Sequence, residues 1–421
     1  MSRSRWSRCL VLGAGALLAA AGCAEPVTPA GERPEVAPPE GPPSRVVAVS
    51  DVGAVRLEAH FTDLRAGATQ DMAILDHLIY LVDNAPSGAI IRAAIHNISA
   101  NVVQAAFQRA KDRGVTVYVV HSGHQYPGTP GDDADTSPED LQRYLDGGAG
   151  TRFRWCTAGG TLAGSGYDGC ISRDPSALMH SKLVLISRTR DTGGTVRDNV
   201  VWLGSANMTY ATGANTYNNT VTVYGDKSFY DGFVGEYWTK LWNKTAFTGN
   251  DYYDSSSGRG YFGGSVANLQ VYASPEQGTD LVYNRLTYID PDTACAVRVA
   301  EAMWTSGRKN VAELLVAKKR QGCWVSVAVG SIDSEVLAVL RGAGIAVRKI
   351  NTHDKFILVK GRYAGSADVR RLVFTGSHNL SHSANYINDE LFVKLEEYDI
   401  YTAFRYSWER MTADEDATTY P

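Results

Sequence analysis

The sequence is short of three things. It has no surplus of basic charge: 41 Lys and Arg stand against 45 Asp and Glu, a net charge of −4. That weighs against a non-specific nucleic-acid binder, which needs clustered cations, although a local basic groove would escape such a count. It has few cysteines, six in 421 residues, and none form a C-x-x-C pair. That excludes the usual zinc ribbons and fingers. Beyond the first 22 residues it also lacks an apolar run long enough to span a bilayer. What remains is 44% hydrophobic and 10% aromatic, enough for two or three domains or one large two-part domain.

The N-terminus is not fold. Arg3, Arg5 and Arg8 precede a short apolar stretch, and Ala20-Ala21-Gly22-Cys23 is a small-residue cleavage site. Residues 1–22 therefore read as an export signal. The end of this stretch resembles a bacterial lipoprotein signal. That resemblance implies lipid modification at Cys23 and a membrane surface as partner; plain secretion is the alternative. Residues 23–43 hold seven of the chain's 15 prolines and read as an extended tether. Without the three leader arginines the charge falls to −7. In an exported chain the four remaining cysteines suggest disulfides, and proximity favours Cys156–Cys170 and Cys295–Cys323 over buried thiols.

Residues 72–84 carry apolar positions at helical spacing. Ile90–Ile98 reads as a strand, Asn101–Lys111 as a helix stopped at Gly114, and Val115–Val120 as a strand. Residues 121–178, rich in Gly, Asp, Pro and Ser, read as one long loop. Strands follow at Lys182–Ile186, Val200–Leu203 and Thr220–Tyr224, then an aromatic helix Phe229–Trp242. After a junction at 244–266 the order returns. Strands at Leu269–Tyr272, Ala296–Met303, Trp324–Val329, Ile345–Ile350 and Leu391–Leu395 alternate with helices at Asp280–Ile289, Asn310–Lys319, Ser334–Leu340 and Tyr398–Met411. Ile91-Arg92 answers Val297-Arg298, and Gly114 answers Gly322. So many correspondences in one order argue for duplication. The expected halves are 44–250 and 251–421, and the short connections favour largely parallel sheets.

One short pattern occurs in both halves. His180-x-Lys182 runs into an apolar strand and is followed, 24 positions after His180, by Gly204-Ser205-x-Asn207. His353-x-Lys355 is followed, 23 positions after His353, by Gly376-Ser377-x-Asn379. Residues two apart share a strand face, so each half offers an imidazole and an ammonium together. Gly before Ser permits close backbone approach. A lone strand histidine is usually structural. Two sets of His, Lys, Ser and Asn at near-equal spacing suggest an anion site instead, because buried Lys is costly unless paired.

These residues resemble the signature of the phospholipase D superfamily, over essentially the whole mature chain. The resemblance implies two pseudo-symmetric α/β/α sandwich halves with mixed sheets and one active site at their interface. It implies metal-independent phosphodiester cleavage through a phosphohistidine, without a cofactor, on a phospholipid or other phosphodiester, with hydrolysis or transphosphatidylation of phospholipid headgroups as the first reading. A single chain would then suffice, so a monomer is expected. His180 is implied as nucleophile and His353 as general acid, which the residues alone do not separate. Lys182, Lys355, Asn207, Asn379, Ser205 and Ser377 would surround the phosphoryl oxygens. Glu390 matches an acidic position that orients a histidine, and its first-half counterpart is expected at Asn219 or Thr220. The family's Asp five after Lys is Ser187 in one copy and Lys360 in the other, and 188–198 and 361–370 read as inserted hairpin tips. Competing readings are a nuclease-type phosphodiesterase and a surface-anchored binding protein with a dead site.

Other candidates are less determined. His121 and His124 follow a strand end, where they either line a cleft as substrate-binding groups or sit in a solvated loop. His378 lies inside the second Gly-Ser pattern and is a second substrate-binding candidate, with His382 just after it. His96 reads as packed. Tyr126, Trp155, Tyr167 and Trp202 could contact lipid or a base.

Overall fold

The apolar tails behind the two His-Lys patterns show how the molecule is layered. Leu183 and Leu185 enter one hydrophobic core, whereas Val184 and Ile186 enter another on the opposite face. Phe356 and Leu358 join the same first core, and Ile357 and Val359 enter a third. Strands buried on both faces read as continuous apolar runs, which is how these segments look in the sequence. The first core is thus shared between the halves, and the other two are their outer layers.

The computed structural model describes residues 47–420 except 65–69, 126–135, 147–150, 157–168, 246, 293 and 415–416. The leader, the tether, Cys23, Tyr126 and Tyr167 lie outside the described residues. The first half contains β1 (Val47–Val52), β2 (Val55–Phe61), α1 (Ala73–Asp83), β3 (Ile90–Ile95), α2 (Asn101–Asp112) and β4 (Thr116–Ser122). It continues with α3 (Ser137–Asp146), β5 (Phe153–Cys156), β6 (Leu183–Arg190), β7 (Val196–Gly204), α4 (Ala211–Ala214) and β8 (Asn219–Tyr224). Then come α5 (Lys227–Gly232), a π-helical stretch Phe233–Trp238 and α6 (Thr239–Asn243).

The second half contains β9 (Tyr261–Gly263), β10 (Gln270–Ser274), α7 (Leu281–Thr287), β11 (Ile289–Asp290), β12 (Ala296–Trp304) and α8 (Lys309–Arg320). It continues with β13 (Trp324–Ile332), α9 (Ser334–Gly342), β14 (Ala346–Lys349), β15 (Lys355–Tyr363) and β16 (Arg370–Gly376). It ends with α10 (His382–Tyr386), β17 (Glu390–Leu395), α11 (Tyr398–Thr412) and β18 (Thr418–Thr419).

Sheet order makes the duplication explicit. The first sheet runs β1-β2-β8-β7-β6-β3-β4-β5, and the second runs β9-β10-β17-β16-β15-β12-β13-β14-β18. Within these, β2-β8-β7-β6-β3-β4-β5 and β10-β17-β16-β15-β12-β13-β14 are the same path. Ile91 pairs with Ile186 and Val297 with Val359, so the expected match of Ile91 with Val297 holds in register.

The sheets are mixed, but the balance differs from the largely parallel expectation. Only β3-β4-β5 and β12-β13-β14 are parallel; every other pairing along the two sheets is antiparallel. Helical crossovers feed the parallel strands, whereas β6–β7 and β15–β16 are hairpins, which can only pair antiparallel. Their tips lie where the sequence placed them, with Arg188 opposite Asp198 and Gly361 opposite Arg370.

The stretch 121–178 is also not all loop. It holds α3 and β5, the counterparts of α9 and β14. β5 is only four residues long, too short to show a period. β1 and β2 lie ahead of the first element that the sequence spacing predicts. Between the sheets, Phe404 of α11 meets Phe61 edge-on at 4.8 Å and Phe356 at 5.2 Å, one ring from each half. The pairs Cys156–Cys170 and Cys295–Cys323 are disulfides, which fits folding in an oxidising compartment. No helix among the described residues is long and apolar enough to cross a membrane.

Candidate active site

Each His-Lys pattern enters its strand beside the other half. Met179 bridges in parallel to Asp389, and Thr352 to Tyr217. The His180 N–H donates to the Asp389 carbonyl at 3.0 Å, and the His353 N–H to the Tyr217 carbonyl at 2.8 Å. The two motifs are therefore stitched across the seam by equivalent backbone contacts. Asn219 adds a side-chain stitch: its amide donates to Asp354 at 2.7 Å and its oxygen accepts from Thr375 at 2.6 Å.

The support behind each imidazole also comes from the opposite half. His180 Nδ1 donates to Glu390 Oε2 at 2.8 Å. His353 Nδ1 lies 3.0 Å from Asn218 Oδ1. The Asn218 amide is oriented by its own donors, with Nδ2 giving hydrogen bonds to the carbonyls of Thr212 and Thr216. Its oxygen must then face His353, so His353 donates from Nδ1. Both rings thus keep Nε2 for chemistry.

The counterpart of Glu390 is Asn218, not Asn219 or Thr220 as expected. Ser205 donates to Asn218 at 3.1 Å, as Ser377 donates to Glu390 at 2.6 Å. Both partners lie 13 residues after their serine, so the same count taken from Ser205 would have found Asn218. The seam is symmetric in position and asymmetric in charge: a carboxylate backs His180 and a neutral amide backs His353.

These bonds correct the role expected for the serines. Ser205 and Ser377 are buried, and their hydroxyls hold Asn218 and Glu390 rather than facing a phosphoryl group. They position the residues that position the histidines. The glycines before them make this possible. A Cβ on Gly204 would sit 2.2 Å from the Asn219 carbonyl oxygen, and one on Gly376 2.2 Å from that of Leu391.

Lys182 and Lys355 are buried, and each ammonium donates to the carbonyl of the histidine two residues earlier, at 2.6 and 2.7 Å. Burial and then the neighbouring Lys355 hold Lys182 well below its ordinary range. Burial brings Lys355 down to about 8, against the pull of Glu301, Glu390 and Asp354. Glu301, unrecognised in the sequence, is buried on β12 where β3 carries Ile95. Burying such charges costs several kcal/mol per ion, which an incoming anion would offset. Asn207 and Asn379 are part-exposed, and neither spends its side-chain amide on another described residue.

Burial pushes His180 down to about 4, with Glu390 opposing and Lys182 and Lys355 adding to the shift. Burial followed by Lys355, Lys182 and His180 holds His353 well below the usual imidazole range. Burial would raise Glu390, but His180, Lys182 and His378 bring it to about 2. The pair His180–Glu390 is best described as neutral imidazole beside carboxylate at neutral pH.

The remaining histidines fall differently from expectation. His121 is fully buried, its ring 4.9 Å from Trp155 and 6.0 Å from Phe153, and cannot touch substrate. Trp155 and Trp202 are buried core residues as well. His378 is buried, its ring 5.8 Å from that of Phe392 and close enough to Glu390 to lower that carboxyl. His382 is exposed beside Tyr386. His96, expected to be packed, is part-exposed with its ring 4.4 Å from His180, and His124 stacks on it at 4.2 Å. At the departed motif position, Ser187 accepts a hydrogen bond from the Ile90 N–H at 2.9 Å, a fold-supporting role.

Among the described residues, Glu58, His60 and His77 have the spacing of a metal site. Their geometry does not fit one. The two rings stack 3.7 Å apart and only 19° from parallel, so their in-plane lone pairs run side by side instead of converging. The Glu58 oxygens already accept from Arg56, Thr192 and Tyr224 at 2.8, 2.7 and 2.9 Å. A groove of about 550 Å³ on α1 and α2, lined by Ile79, Asn101 and Arg109 among others, lies away from the seam.

No family model and no curated protein matches the chain. Solved structures do. The chain is similar to phosphatidylserine synthase from Haemophilus influenzae Rd KW20, at 11% identity and a TM-score of 0.54, over 89% of each chain. It is similar to polyphosphate kinase from Porphyromonas gingivalis, at 13% identity and a TM-score of 0.52, over 86% of this chain and only 52% of the kinase. A phospholipase D family member, Nuc from Salmonella typhimurium, matches 36% of this chain over 97% of its own, at 22% identity and a TM-score of 0.29. At these identities the likeness concerns the fold.

Proposed function

We propose that this chain, whose fold is that of the phospholipase D superfamily, is a phosphodiesterase that works by double displacement. The observation that carries the reading is the cross-braced pair of histidines, each with Nδ1 bonded to the opposite half and Nε2 left over. The carboxylate behind His180 favours it as nucleophile, because Glu390 stabilises the positive charge that ring acquires on attack.

His180 Nε2 attacks phosphorus as the bond to the leaving oxygen breaks. His353, protonated, gives its Nε2 proton to that oxygen. Lys182, Lys355, Asn207 and Asn379 stabilise the charge spread over the phosphoryl oxygens. Water then attacks the phosphohistidine, His353 takes its proton, and the P–N electron pair returns to His180. A primary alcohol in place of water gives transfer.

The substrate we favour is a phospholipid, cleaved on the headgroup side. The acidic charge of the exported chain supports this over a nucleic acid. So does the end-to-end similarity to a phosphatidylserine synthase. We further propose that the protein is exported, anchored or released at a membrane surface through Cys23, and acts as a monomer, since one chain supplies both histidines.

The test is direct. His180→Ala or His353→Ala should lower hydrolysis of bis(p-nitrophenyl) phosphate at least about a thousandfold, within the worth of one general acid or nucleophile, with the fold retained. Full activity in either variant defeats the two-histidine mechanism. Wild-type activity should survive EDTA. Choline release from phosphatidylcholine beside cleavage of single-stranded DNA separates lipase from nuclease.

A further inference from the structure

The duplication is broken beside His180. Parallel bridges Ile98–Met208 and Trp304–Leu380 equate Ile98 with Trp304, and therefore His96 with Ala302. The registers Ile95–His121 and Glu301–Val329 equate His124 with Ile332. Next to one catalytic histidine stands a stacked imidazole pair; at the equivalent positions by the other stand an alanine and an isoleucine. All four are part-exposed, so the difference lies on surface a substrate can meet.

We infer that His96 and His124 form a subsite for the ester arm that stays on phosphorus, and that this arm carries an O–H or N–H donor near the ester oxygen. The inference rests on His180 being the nucleophile. After attack the phosphorus is bonded to His180 Nε2, and the retained arm is the part of the substrate nearest that ring's neighbours. His96 Nδ1 lies 3.2 Å from the Met179 carbonyl. A carbonyl only accepts, so Nδ1 carries the hydrogen and Nε2 presents a lone pair. Burial and the nearby Lys182 and His180 keep His96 neutral, and burial with His121 and His180 does the same for His124.

A neutral acceptor suits a donor. It gives nothing to a second anion, and Lys182 close by repels a cation. A fully acylated glycerol arm has only ester oxygens here, which are acceptors. A lysophospholipid has a free hydroxyl on the second carbon of that arm, and a sphingolipid has an amide N–H there. Both share the required chemistry.

The experiment compares choline release from lysophosphatidylcholine, its 2-deoxy analogue, diacyl phosphatidylcholine and sphingomyelin in the same detergent micelles. Wild type should prefer lysophosphatidylcholine to the 2-deoxy analogue by about tenfold or more in kcat/KM, the worth of one well-placed hydrogen bond. His96→Ala and His124→Ala should each collapse that ratio toward one. A preference for sphingomyelin alone would identify the N–H as the recognised donor; a preference for both would extend it to either group. Equal rates on the hydroxyl and deoxy substrates in wild type, with sphingomyelin cleaved no faster than diacyl phosphatidylcholine, overturn the subsite. So does a variant that slows both in proportion, since that marks only a prop for His180. Hydrolysis of bis(p-nitrophenyl) phosphate reports separately. If it proceeds while no choline lipid is cleaved, the subsite is wrong and the catalytic reading stands. If it is absent, the catalytic reading fails as well.

Discussion

The amide behind His353 makes a sharp test, because Asn218→Asp changes charge with almost no change of shape. In the wild type His353 must be protonated to act as acid, so activity is lost as pH rises through its pKa. That pKa sits well below the ordinary value, through burial, Lys355, Lys182 and His180. A carboxylate oxygen at the place of Asn218 Oδ1, 3.0 Å from Nδ1, favours the imidazolium. An adjacent opposite charge typically raises a histidine by about 1–3 units; with both lysines still present we expect about 1–2. The alkaline limb of kcat/KM should move up by that amount, each unit giving a tenfold gain in the protonated fraction above the old limb.

The same substitution has a cost. Asn218 Nδ2 donates to Thr212 O at 2.9 Å, Thr216 O at 3.2 Å and Thr216 Oγ1 at 3.0 Å. A carboxylate cannot donate. The threonine hydroxyl can turn round and Thr216 O keeps the Thr62 hydroxyl at 3.0 Å, but Thr212 O loses this donor, at about 1–2 kcal/mol. The urea midpoint should therefore fall while the pH range widens. Kinetics on bis(p-nitrophenyl) phosphate from acid to alkaline pH, beside urea unfolding, measure both. A folded variant whose alkaline limb stays at the wild-type position refutes the assignment of His353 as the acid.

Glu390→Gln removes a charge-assisted bond at 2.8 Å, worth about 1.5–3 kcal/mol, and should cut kcat/KM by about 10–150-fold. Because His180 acts when neutral and loses the group that raises its pKa, the acid limb should move to lower pH; an upward move contradicts the nucleophile assignment. Gly204→Ala forces a Cβ to 2.2 Å from the Asn219 carbonyl and should cost about 1–3 kcal/mol in chemical denaturation, whereas Gly235→Ala, with open space at its Cβ, should cost nothing. Replacing Cys295 and Cys323 by Ala opens a link across 28 positions and should lower stability by about 3–4 kcal/mol, read from the urea midpoint. An unchanged midpoint would mean that the unfolded chain is not constrained by that bond.

Part of the site was open to counting. The two His-x-Lys and Gly-Ser-x-Asn sets repeat at near-equal spacing, and Asn218 stands as far from Ser205 as Glu390 does from Ser377. His96 gave no such signal. It has no partner in the other half, and a single histidine at a strand end resembles any packed residue. His121 and His124 looked alike in the chain, yet one is fully buried under Trp155 and the other reaches His180's neighbour. His121 lies at the end of a strand, whereas His124 sits in the short 3-10 segment that follows, Gly123–Gln125, whose direction no local pattern announces.

What the sequence determined alone was most of the repeated elements, their order and their motif residues. Those follow from relations between near neighbours: strand alternation, helical spacing, and glycine where backbones must touch. Only the tertiary structure decided who stands behind whom. Glu390 supports His180 across 210 positions and Asn218 supports His353 across 135. Such pairings arise from the packing of two sheets around one core. A difference of one carboxylate between two matched halves acquires meaning only when the halves face each other.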